Sequence, residues 1–169
     1  MGIYHFFKTL RNTEPFLRSG ERTKPVIEGI EGPNRIGQKE AVMALKPIRT
    51  ESAPAAIGPY SQGMQAGSWL FVSGQLGLDP ESGALVGTDL ASQARQALQN
   101  LQQILVSAGA RLEQVAAVEV FLTDIGMFAE FNQVYETFFS DHRPARAVIG
   151  VAGLPKDALV EVKCMAYTG

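Results

Sequence analysis

The sequence predicts an α+β domain of two layers, a β-sheet carrying two helices on one of its faces. Two segments place apolar residues at three- and four-residue steps, so each needs one side covered. Several short runs rich in Val, Ile and aromatic residues are bounded by Gly, Pro and Asp and read as strands. Their order is strands, helix, strand, helix, strand, strand, and a single sheet can cover both helices.

Trp69 to Ser73 is the first clear strand, bounded by Gly67 and Gly74. Asp79-Pro80-Glu81-Ser82-Gly83 is a turn. A long helix follows, with Thr88 or Asp89 as N-cap and Gly109 as stop. Leu90, Ala94, Ala97, Leu98, Leu101, Ile104, Leu105 and Ala108 form its apolar stripe, and the glutamines at 93, 96, 99 and 103 are expected to face water. Val115 to Leu122 is a strand with Val118, Val120 and Leu122 on one face and Ala117, Glu119 and Phe121 on the other. Thr123 or Asp124 caps a second helix carrying Phe128, Phe131, Tyr135, Phe138 and Phe139, which Pro144 ends. Ala147 to Val151 and Leu159 to Ala166 are the last strands. The final strand sets Val160, Val162, Cys164 and Ala166 against a mixed face of Leu159, Glu161, Lys163 and Met165. A mixed face left uncovered by helices suggests contact with further copies of the chain.

Composition bounds the chemistry. The chain has 169 residues, 46% hydrophobic and 19% charged, which fits one ordinary domain with an extension. Residues 1–43 carry seven Lys or Arg against five Glu, +2, leaving −4 for residues 44–169 of the total of −2. With Gly32-Pro33-Asn34 as a turn signal and no sustained period, that segment reads as poorly ordered. Phe6, Phe7 and Leu10 beside Lys8 and Arg11 leave a mitochondrial targeting segment open, the glutamates weaken it, and Met43 is an alternative start. A cytoplasmic location is otherwise expected. One cysteine, Cys164, permits no internal disulfide. Two histidines, His5 and His142, lack partners at ligand spacing, and no phosphate-binding glycine loop occurs, so neither metal nor nucleotide cofactor is expected. No apolar run is long enough for a membrane helix, and the charge gives no basic field for nucleic acid.

Six residues could carry chemistry. Arg146 enters an apolar strand and offers a planar fork that matches a carboxylate; the alternative is a surface arginine after a loop. Glu161 interrupts a hydrophobic strand, where a raised pKa would suit an acid or base; the alternative is a salt bridge with Arg146 or Lys163. Tyr60, after Gly58-Pro59, is either a pocket phenol or a core plug. Ser73 and Gly74 end a strand, Gly74 allowing close backbone approach or a bulge. Asn132 is an unusual helix residue, solvent-exposed in the simpler reading. Cys164 reads as core, and no Ser-His-Asp set can be assembled.

Four segments, in this order, resemble the RidA/YjgF (L-PSP) family of imine deaminases. They are Ala55-Ala56-Ile57-Gly58-Pro59-Tyr60-Ser61-Gln62-Gly63, Val72-Ser73-Gly74-Gln75, Pro144-Ala145-Arg146, and Leu154-Pro155-Lys156-Asp157-Ala158-Leu159-Val160-Glu161-Val162. The resemblance covers residues 44–169. It implies a chorismate-mutase-like fold with a mixed sheet, and a homotrimer whose sheets pack into a central barrel with three clefts between subunits. It implies hydrolysis of 2-iminopropanoate or 2-iminobutanoate to the 2-keto acid and ammonia, without a cofactor. Arg146, helped by the Gly74 amide, would bind the carboxylate, and Glu161 would activate water. Tyr60 and Asn132 would line the pocket, Ser73 would lie near its floor, and the main chain of Val148 would face the reacting carbon. Val148 stands where well-known deaminases carry cysteine. The short loop before Pro144, with Gly150 and Gly153, puts substrate size in question. Three other readings remain: an endoribonuclease or translation inhibitor, a non-catalytic carboxylate-binding or chaperone-like trimer, and a relative acting on enamines.

Overall fold

Leu98, Leu101, Ile104 and Leu105 are fully buried along one side of the helix α1 (Leu90–Ser107), and they set the thickness of the domain. Each such side chain contributes about 1.5–3 kcal/mol of burial. The computed structural model describes residues 44–169. The expectations for residues 1–43, poor order, targeting or an upstream start, lie outside the described residues. Asp89 caps α1 by accepting from the Ser92 N–H at 2.8 Å, and Gly109, at φ +77°, ends it.

Six strands form one mixed sheet: β1 (Leu45–Ile48), β2 (Gly63–Ala66), β3 (Trp69–Leu76), β4 (Val115–Leu122), β5 (Ala145–Gly150) and β6 (Val160–Tyr167). The spatial order is β1-β2-β3-β6-β4-β5. Every neighbouring pair is antiparallel except β4 and β5, which are parallel and joined through the second helix, α2 (Phe128–Glu136). A parallel pair needs such a crossover. Asp124 accepts from the Gly126 N–H at the 3₁₀ turn that leads into α2.

The alternation read from the sequence holds on the core side. Val160, Val162, Cys164 and Ala166 of β6 pack beneath the helices with Val118, Val120 and Leu122 of β4. Burial pushes the Cys164 thiol up to about 12, in keeping with a core role. The opposite face is more apolar than β6 alone suggests. Register places Phe71 beside Met165, Trp69 beside Tyr167, and Phe121 between Glu161 and Ile149. Five of these side chains, Trp69, Phe71, Ile149, Met165 and Tyr167, are exposed in the single chain.

Three sequence readings need correction. β5 begins at Ala145, two residues before the expected start, because Ala145 already pairs with Ala117. β6 begins at Val160, one residue late. Gln93 does not face water: it is buried, donating to the Gly87 carbonyl and accepting from the Leu159 N–H at 2.8 Å. Its amide satisfies two backbone groups that would otherwise be buried without partners. Replacing Gln93 by Leu is therefore expected to lower unfolding free energy by about 2–4 kcal/mol. Denaturant midpoints measure this, and a change below about 1 kcal/mol would contradict it.

Candidate functional site

Ser73 and Gly74 lie where β3 loses register with β6. Val72 pairs with Cys164 and Gln75 with Val162, so two residues oppose one in a bulge. The Gln75 amide braces the bulge by donating to the carbonyls of Ser73 and Gly74. The bulge turns the Gly74 backbone towards Glu161, which pairs with Leu76 one step further along β6. A Cβ at position 74 would overlap the Glu161 carboxylate, with its Cγ 3.1 Å away. Glycine here is thus required by close approach.

Glu161 is half-buried, and loss of solvent raises its pKa above the ordinary carboxylate value. The expected alternative of a salt bridge is not what forms. Lys163 pairs with Glu119 across the sheet, and Arg146 stands in the register of Val118 and Cys164, on the helix side. Glu161 stands with Phe121 and Ile149 on the other side. Two strand spacings, about 9–10 Å, and the sheet itself separate the two residues within one chain.

Four of the seven predicted residues, Tyr60, Ser73, Gly74 and Glu161, line one cavity of about 690 Å³. Gln62, buried behind it, was not singled out from sequence. Its side chain accepts from the Thr50 N–H and donates to the carbonyls of Thr50, Ala53 and Pro54, which pins the segment leading to Tyr60. The Ser73 hydroxyl donates to the Ser61 carbonyl at 2.7 Å, so it fastens that segment to β3. Tyr60 is about half exposed at the cavity rim, not the core plug of the alternative reading. Lys156 also lines the cavity; it and its neighbour Asp157 hold φ values of +59° and +56°, a strained pair, and the Lys156 ammonium donates to the Gly83 carbonyl at 2.6 Å.

The other three residues gather at the free edge of the sheet. The Arg146 guanidinium lies over the Tyr135 ring, 4.4 Å from its centroid, and 5.7 Å from that of Phe128. Asn132 lies between those aromatics on α2, and it is not solvent-exposed: its Oδ1 is buried without a hydrogen-bond partner among the described residues. Val151 donates its N–H to Leu122 across the parallel ladder. Residues alternate along such a ladder, which turns the Val148 N–H away from β4 to the open edge. That Tyr135 underlies Arg146 is not legible from spacing along the chain. Among the described residues, no three His, Cys, Asp or Glu side chains converge as a metal site would need, and His142 contacts the Val115 carbonyl at 2.6 Å.

Fold and site define a class: a small two-layer α+β protein with a carboxylate cavity at a strand bulge and an arginine on a free sheet edge. The chain belongs to the Endoribonuclease L-PSP family, the RidA/YjgF group, whose profile matches residues 50–168. It is 45% identical over 124 residues to the 2-iminobutanoate/2-iminopropanoate deaminase of Salmonella typhimurium, a match spanning 72% of this chain and 96% of that protein. It is 44% identical over 125 residues to a RutC family protein of Pyrococcus abyssi, spanning 74% of this chain and 98% of that one. Among solved structures it is similar to E. coli TdcF with bound serine, with a TM-score of 0.70, 41% identity, and coverage of 73% of this chain and 99% of that chain.

Two outcomes follow from the geometry. Gly74→Ala is expected to displace the Glu161 carboxylate while the β3–β6 pairing survives, visible as loss of any Glu161-dependent reaction with little change in circular dichroism. Unchanged kinetics in that variant would contradict the overlap. Glu161 also has a folded-state pKa above its unfolded value, so its contribution to stability is present at low pH and lost as pH rises through the folded pKa. Glu161→Gln should thus gain stability relative to the parent as pH rises above the ordinary carboxylate range. Parallel stability curves for the two proteins would refute this.

Proposed function

We propose that the protein hydrolyses small 2-imino acids, such as 2-iminopropanoate and 2-iminobutanoate, to 2-keto acids and ammonia. The reaction would take place in clefts between neighbouring copies of the chain. The observation that carries the reading is the Glu161 carboxylate, seated on Gly74 in a poorly solvated cavity with its pKa raised. A carboxylate in that state is suited to take a proton from water near neutral pH. The name of the Salmonella relative and the serine bound to TdcF support a small carboxylate substrate.

A protonated imine is already electrophilic at carbon. Arg146 holds the substrate carboxylate through two parallel N–H donors. Glu161 holds a water and accepts its proton as the oxygen bonds to C2. The same proton then passes to nitrogen; as the C–N bond breaks and ammonia leaves, the C2 oxygen forms the keto C=O and gives up its remaining proton to Glu161, which releases it to solvent. Placing water and imine side by side supplies effective concentration without a cofactor. The Gly74 amide assists at the carboxylate, the Val148 N–H faces the reacting carbon, and Tyr60 and Asn132 close the walls.

Arg146 and Glu161 lie on opposite faces of one sheet, so this chemistry needs the cavity of one copy beside the sheet edge of another. The exposed apolar face of Trp69, Phe71, Ile149, Met165 and Tyr167 supplies a reason to assemble. Three copies around an axis, with these faces turned inward, would form the central barrel. The family description names an endoribonuclease, but the −4 charge of residues 44–169 offers no cationic track for a phosphate backbone.

The test is a coupled assay in which an amino acid oxidase or threonine dehydratase generates the imine in place. Arg146→Ala is expected to abolish acceleration of imine hydrolysis with the assembly intact. Glu161→Gln is expected to lower kcat by roughly 100-fold or more with a smaller effect on KM. Wild-type rates in Arg146→Ala would end the proposal.

A further inference from the structure

The Arg146 guanidinium has no acidic partner among the described residues. A long, exposed side chain on an edge strand would ordinarily sample many rotamers. This one is laid against an aromatic wall. Tyr135 is only 7% exposed, stacks on Phe139 at 4.6 Å between centroids, and is tilted against Phe131 at 5.7 Å. Phe131 is itself fully buried in the core. The Tyr135 ring is therefore rigid, and its open face carries the guanidinium at 4.4 Å.

We propose that Tyr135 is a positioning residue for the reaction above: its ring is the shelf that fixes the Arg146 guanidinium in the plane a substrate carboxylate requires. This rests on the reading of Arg146 as the carboxylate anchor. Fixing an arginine with an acidic residue would consume its donors and cancel its charge. Stacking uses only the flat face of the guanidinium, and leaves the N–H donors at its rim free for a ligand. Burial holds the Tyr135 phenol neutral, with its pKa pushed up to about 12 although the Arg146 charge acts to lower it. The shelf thus offers a ring face to the cation and no competing phenolate. On the same wall, Asn132 Oδ1 is buried without a hydrogen-bond partner among the described residues, a second sign that this wall is built to meet another group.

The test compares Tyr135→Phe, which keeps the ring, with Tyr135→Leu, which removes it. Tyr135→Met, of similar length, replaces the leucine variant if that one unfolds. With an imino acid generated in place, the leucine or methionine variant is expected to raise KM roughly 3- to 30-fold, with kcat changing less. Tyr135→Phe should stay near the parent. In parallel, ¹⁵N NMR of the Arg146 Nε–H, assigned with Arg146→Ala, should give a sharp, ordered signal in the parent and Tyr135→Phe and an averaged one without the ring. Equal KM values in the ring-keeping and ringless variants, or an equally ordered Arg146 signal in both, would overturn the proposal. If the parent hydrolyses no imino acid, the functional reading fails instead, and the NMR comparison still decides whether the ring is a shelf.

Discussion

The Glu161 carboxylate occupies the space that any side chain at position 74 would fill, and much of the molecule is arranged around that contact. The bulge in β3 brings Gly74 to β6, Gln75 braces the bulge, and Ser73 ties it to the segment bearing Tyr60. The contact is costly to the fold. It holds an acidic group where solvent is scarce and raises its pKa, and no cation among the described residues compensates. A desolvated acidic group inside an otherwise regular sheet is what the proposed reaction would require. The left-handed Lys156, which lines the same cavity, places a strained backbone beside it.

The sheet then divides the chemistry in two. One face is sealed by α1 and α2, and Arg146 leaves that side at the edge strand over Tyr135. The other face carries Glu161 and a band of exposed aromatic and aliphatic residues. On the proposed reading, a single chain holds a base without its anchor and an anchor without its base. Association would bury the apolar band and complete the cleft in the same step, so stability and activity would depend on one event.

The first helix was legible in the sequence because its apolar spacing, the Asp89 cap and the Gly109 stop all agree; the second was legible in place, but Asp124 caps the 3₁₀ turn ahead of it and it ends at Glu136, before Phe138 and Phe139. The strands from Trp69 onward were legible within one or two residues. β1 and β2 were not delineated: each has four residues, and Pro47 and Gly63 interrupt any pattern. Gln93 was misplaced because periodicity registers polarity but not a hydrogen bond to a distant backbone group. Arg146, Glu161 and Gly74 were identified singly. Their relations were not legible, since the overlap of Gly74 with Glu161 depends on a bulge and the separation of Arg146 from Glu161 depends on strand order. Tyr135 read as one more core aromatic, because its burial and its contact with Arg146 have the same helical signature.

The proposed division of the site between copies is tested directly by mixing Arg146→Ala and Glu161→Gln chains, each expected to be inactive alone, under conditions that exchange subunits. In a closed ring with head-to-tail contacts, random mixing in equal amounts restores about one quarter of the parent imine-hydrolysing sites. Activity rising to that level as the two proteins exchange would be the expected result. Mixed assemblies that form and stay as inactive as their components would show that one chain must supply both residues, and would contradict the account.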